Sequence, residues 1–222
     1  PTHLSLDAFE AGQAEAIGAL CRIFCFKKCD EDISLILAKQ SHPDFQKNKH
    51  YLTTYYLSLK FGLQEEHRMQ LLSSILVNSV WFFELDLPGS KILIPHFLKS
   101  IEMFLTKKDK SSSSSEVLIR RACIKILISL LSYPLHFKDL HIRDTLSSEA
   151  SSSTFLSLFP RLILLLIHGL HNEPDSVNVQ TILGALLFVV EDAVKFEELL
   201  LLLSESLDRG ESSSNVEDLT SN

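Results

Sequence analysis

The 222-residue sequence predicts an all-α fold of helical hairpins stacked in a HEAT/armadillo-like solenoid, with an irregular helical bundle as the alternative. Three observations predict it. Apolar residues recur at helical spacing along seven segments, and none alternates with period two over enough residues for a strand. Only seven glycines and seven prolines are present, too few for a sandwich or barrel that turns every ~10 residues. Pairing consecutive segments gives units of about 40–45 residues, although no residue motif recurs between them.

The first helix opens with Asp7 and Glu10 at capping-box spacing and continues through Phe9, Ala16, Leu20, Ile23 and Phe24. Its Ala11, Gly12, Ala14, Ala16, Gly18 and Ala19 are small and predict close approach of a neighbouring helix. Leu20, Ile23 and Phe24 are expected in the core and Gln13 at the surface. A weak apolar stretch, Ile33–Ala38, leads into a polar loop with Pro43. The second helix carries Leu52, Tyr55, Tyr56, Leu59 and Leu63, and the third Met69, Leu72, Ile75, Leu76 and Val80. After the Leu87-Pro88-Gly89-Ser90 turn, a fourth carries Phe97, Leu98, Ile101, Phe104 and Leu105, with Pro95 in its first turn.

The fifth, about Glu116 to Ser132, is polar only along Arg121, Lys125, Ser129 and Ser132, which predicts a helix sandwiched between neighbours. The sixth runs from near Thr154 to His171, and Pro160 either kinks it or marks its first turn. The seventh carries Val179, Ile182, Leu183, Leu186, Val190 and Ala193, and Glu197–Leu207 continues it or forms a shorter piece. Serine-rich stretches at Ser111–Ser115, Ser147–Ser153 and Ser212–Ser214 read as flexible loops or tail. One helical-repeat region is expected over residues 1–209, followed by a disordered polar, acidic tail over 210–222. The chain starts at Pro1 and ends in a polar run, so both ends read as points of excision from a longer protein.

The net charge of −7 is located from Glu191 onward, where nine acidic and two basic residues lie; residues 1–190 hold 19 of each. A neutral body without a Lys/Arg stripe argues against nucleic acid or anionic lipid as the main ligand. Cys21, Cys25, Cys29 and Cys123 fit a reducing compartment better than a disulfide framework, because the first three share one helical face. No signal peptide is visible, and the uninterrupted apolar run Leu162–Ile167 is far short of the ~20 residues of a span. A soluble, cytoplasmic protein is expected.

No catalytic, cofactor-binding or metal-ligating residue is assigned. A stripe of Cys21, Cys25 and Cys29 on one helix offers at most two zinc ligands, whereas structural zinc uses paired cysteines on turns. His168 and His171 stand at i, i+3 with Glu173 beyond, but no H-E-x-x-H is present, and His136 and His141 flank a loop. Glu65-Glu66 and Asp30-Glu31-Asp32 lie at helix starts or turns, where carboxylates serve the helix dipole or face water. Trp81-Phe82-Phe83 reads as a plug at the end of a hairpin, or else as a docking patch. No nucleophile elbow, Walker loop or dinucleotide fingerprint occurs.

The first helix is the most distinctive stretch. Asp7-Ala8-Phe9, Ala11-Gly12, Ala14 through Cys25 and Lys27-Lys28 resemble the large subunits of the Ral GTPase-activating proteins, relatives of tuberin. Agreement continues through Ile75–Ser79, Pro95-His96-Phe97, Arg120–Ile124, Leu130-Leu131 with Pro134, His136-Phe137, Thr154–Leu158 and Gln180–Ala185. Cys29, the Ala38–His50 stretch and Pro160 depart from the pattern; of the two large subunits the reading leans to α. The resemblance implies a non-catalytic helical scaffold, with a partner subunit and a Ras-like GTPase (Ral) reached through the parent protein. The family's catalytic domain lies elsewhere and uses an asparagine in a Gly-Asn-Asp signature; this chain contains neither Gly-Asn nor Asn-Asp, and Asn78 has a helical context. A HEAT-type adaptor of an unrelated complex shares the same composition, and a helical metal-dependent hydrolase is the third class.

Overall fold

The computed structural model describes residues 6–25, 44–85, 87–107, 113–131, 141–143 and 152–194. The expectations for Cys29, Asp30-Glu31-Asp32, Ile33–Ala38, Pro43, His136, Glu197–Leu207 and the tail lie outside these residues. Among the described residues the helices include α1 (Leu6–Phe24), α2 (Asp44–Gln64), α3 (Met69–Asn78), α4 (Ile94–Thr106), α5 (Ser114–Leu131) and α6 (Phe155–Asn172). A seventh, α7, spans Ser176–Val194. The chain divides into two units, Pro1–Ile182 and Leu183–Asn222, with α7 passing from the first into the second.

Local chemistry explains the boundaries. Leu87-Pro88-Gly89-Ser90 forms a turn closed by Ser90 N–H on the Leu87 carbonyl at 3.0 Å. Gly89 adopts φ 80°, ψ 0°, the left-handed third position of a type II turn, with proline before it. Tyr56 from α2 donates its hydroxyl to the Pro88 carbonyl at 3.0 Å and pins this turn. A 3-10 turn, Ser90–Leu93, leads into α4, whose Pro95 sits in the first turn as expected. Pro160 lies inside α6 rather than at its start, so the Leu156 carbonyl lacks the amide it would otherwise accept from.

The all-α expectation meets one exception. His141–Arg143 and Ser152–Thr154 (β1 and β2) pair antiparallel, with Ile142 opposite Ser153. Ser152 and Ser153 were expected in a flexible loop, but next to Thr154 they complete a three-residue ladder that hands the chain to α6. Such a ribbon is too short to show period two in sequence.

Within the first unit each helix packs on its second neighbour: α1 on α3, α2 on α4, α3 on α5, and α4 on α6. Sequence neighbours α1–α2, α2–α3, α4–α5 and α5–α6 also touch. Helix α5 therefore meets α3, α4 and α6, and its Cys123, Ile126, Leu127 and Leu130 are buried, as its narrow polar stripe predicts. The unit length of 40–45 residues is not uniform. The Ser100 hydroxyl of α4 reaches the Leu63 carbonyl of α2 across 37 residues, whereas bonds joining α1 to α3, α4 to α6 and α5 to α7 cross 56 to 61. The long connections after α1 and α5 account for the difference.

An aromatic cluster joins α1, α2, α4 and the turn after α3. Phe24 stacks on Tyr55 at 4.3 Å, and Phe82 meets Tyr55, Tyr56, Phe83 and Phe97 at 6.1, 5.9, 5.0 and 5.5 Å. Phe82 and Phe83 are buried and plug the core, while Trp81 stays partly exposed.

The small residues of α1 do admit a neighbour. A Cβ added at Gly18 would stand 2.5 Å from Ser74 Oγ and 3.1 Å from Asn78 Nδ2 of α3. At Gly12 it would meet nothing within 4 Å. Gly18→Leu is therefore expected to cost about 1–3 kcal/mol by overpacking. Gly12→Ala is expected to stabilise by about 0.4–1 kcal/mol, because alanine restricts the unfolded chain. Urea denaturation of the two variants decides it, and equal midpoints would remove the close contact at Gly18.

Candidate interaction surface

Helix α1 has an inner and an outer face. Ala14, Ile17, Gly18, Cys21 and Cys25 are buried on the inner one. Polar bonds staple it to α3: Ser74 Oγ donates to the Ala14 carbonyl at 2.6 Å, and Arg22 Nη1 to Asn78 Oδ1 at 3.2 Å. Arg22 Nη2 also reaches Glu15 at 2.8 Å, and Glu10 accepts the Gln70 amide at 3.1 Å, capping the first turn of α3. Asn78 donates to the Ser74 carbonyl at 2.7 Å. The bond from Arg22 joins Asn78 to α1, while its own donation to Ser74 stays within α3.

The expected core positions of α1 need correction. Leu20 is 37% exposed and Ile23 70%, while Gln13, expected outside, is half-buried with its Oε1 shielded. The close α1–α3 approach favours small side chains, so alanine, glycine and cysteine take most of the inner face beside Ile17, and Leu20 and Ile23 turn out. On the outer face Phe9, Ala16, Leu20 and Ile23 are exposed. Across from Ala16 and Leu20, Phe61 of α2 is exposed as well, to 64%. The groove between holds about 320 Å³ and is floored by Ile17 and Leu71, with Gln13, Glu65 and Arg68 around it.

Cys21 and Cys25 are buried, with Cys25 Sγ 3.5 Å from the Tyr55 hydroxyl. Burial pushes the Cys25 thiol up to about 11 and raises Cys21, Cys123 and the Tyr55 phenol. Neutral thiols are poor nucleophiles and poor metal ligands. These acids ionise more readily unfolded than folded, so their contribution to stability is complete below pH ~9 and lost as pH rises through that value toward 11. Cys21, Cys25 and Cys123 of the native protein are expected to resist a thiol reagent at pH 8, and the protein to unfold more easily in urea at pH 10 than at pH 8. Rapid labelling of Cys21 or Cys25 in folded protein would contradict this.

A second polar cluster binds α5 to the α6–α7 connection. Arg120 Nε donates to Glu173 Oε2 at 3.1 Å; the Glu173 side chain is 0% and the Arg120 side chain 12% exposed. Arg121 reaches Asn178 Oδ1 at 2.9 Å and Asp175 Oδ1 at 3.1 Å. Asp175 also accepts the Asn178 amide at 2.9 Å and so caps α7. That amide, together with Arg121, holds the Asp175 carboxyl below its usual range. Sequence reading missed this cluster; Pro174-Asp175 ahead of the seventh apolar stripe was the available signal for a cap.

His168 and His171 are exposed, while Glu173 faces inward to Arg120, so the three do not converge. Among the described residues no three His, Cys, Asp or Glu side chains gather at metal-binding distance. Lys99 bonds Glu66 and holds its carboxyl low. Among the described residues α7 alone has the length and hydropathy to cross a bilayer, a point the run Leu162–Ile167 did not reveal. Its Asn178, Ile182 and Ala185 are buried, while most of the helix, Leu183, Leu187, Phe188, Val190 and Val194 included, is exposed.

No protein-family model matches the chain, and no solved structure matches it. Similar curated proteins are Ral GTPase-activating protein subunit beta from Homo sapiens, 38% identical over 86% of this chain, and from Rattus norvegicus, 36% identical over 87%. The Mus musculus protein of that name is 36% identical over 86%. The matched stretch covers 13%, 12% and 11% of those proteins, so the chain spans only about an eighth of their length. The resemblance seen in the first helix thus extends over most of the chain, but these homologues are beta subunits, and the lean to α has no support.

Proposed function

We propose that this chain is a non-catalytic helical segment of a beta-type subunit of a Ral GTPase-activating protein, contributing to a cytoplasmic complex that stimulates GTP hydrolysis by a Ras-like GTPase. The observation that carries this reading is 38% identity to the human beta subunit over 86% of the chain. Absence of Gly-Asn and Asn-Asp pairs agrees with chemistry residing elsewhere, as does the engagement of Asn78 between two helices. Packing of each helix on its second neighbour supports a HEAT/armadillo-like stack that presents surfaces rather than a pocket.

Co-purification tests the reading. The full-length parent is expected to bring down a catalytic subunit, and the pair to accelerate single-turnover GTP hydrolysis by Ral. This segment alone is expected to leave the hydrolysis rate unchanged. Acceleration by the segment would place chemistry within it. Co-purification with an unrelated assembly instead would favour a HEAT-type adaptor.

A further inference from the structure

We draw no further inference here: the strongest candidate, the exposed apolar face of α7 formed by Leu183, Leu187, Phe188, Val190 and Val194, carries nothing because the structure does not show what covers it.

Discussion

Glu173→Ala is expected to remove about 3–5 kcal/mol of stability, the usual cost of breaking a buried ion pair from one side. The Glu173 side chain is 0% exposed, and its partner Arg120 is 12% exposed with Nη2 already lacking a bond among the described residues. Without the carboxylate, a guanidinium stays shielded from water with little to offset its lost hydration. The companion variant Arg120→Met with Glu173→Leu should recover most of the loss, because two well-packed apolar side chains often equal a buried ion pair. Urea denaturation of both singles and the double gives the coupling energy. A loss below about 1 kcal/mol for Glu173→Ala, in the range of exposed pairs, would mean that water reaches this pair.

Phe82→Ala should cost about as much, roughly 3–5 kcal/mol, by leaving a cavity in a packed core. Four rings meet Phe82 within 6.1 Å, from α2, α4 and its own turn, so no single element can collapse into the gap. Trp81→Ala next to it should cost much less, since that ring is 39% exposed. Thermal melts followed by circular dichroism separate the two. A smaller loss at Phe82 than at Trp81 would reverse their assignment as plug and surface residue.

Much of this architecture was legible because it is written in short-range chemistry. Pro95 has few places to sit in a helix, Pro88-Gly89 favours one turn type, and paired phenylalanines after a helix seek a core. Orientation was harder. The choice between Leu20 and Cys21 as the inward residue depends on how closely α3 approaches, and Ser74 and Asn78 lie more than fifty residues away. Arg121 illustrates the same limit. On the helical wheel it marks a solvent stripe, yet it bonds the cap of a helix 54 residues further on. The groove between α1 and α2 was missed for the reason that moved Leu20 outward: a helix of small and large residues has two usable faces, and spacing alone does not say which is covered.

The hydrogen bonds between helices also set a clock. The side-chain bonds that join the helices described above span up to the 61 residues between Asn178 and Val117. At 5–20 residues per second, a ribosome makes that length in roughly 3–12 s. Helix α3 can therefore dock on α1 while α5 is still being synthesised, and each later helix emerges to find its partner already formed. Assembly in order of birth keeps the interval in which the apolar faces of α5 and α6 lie open to aggregation to seconds.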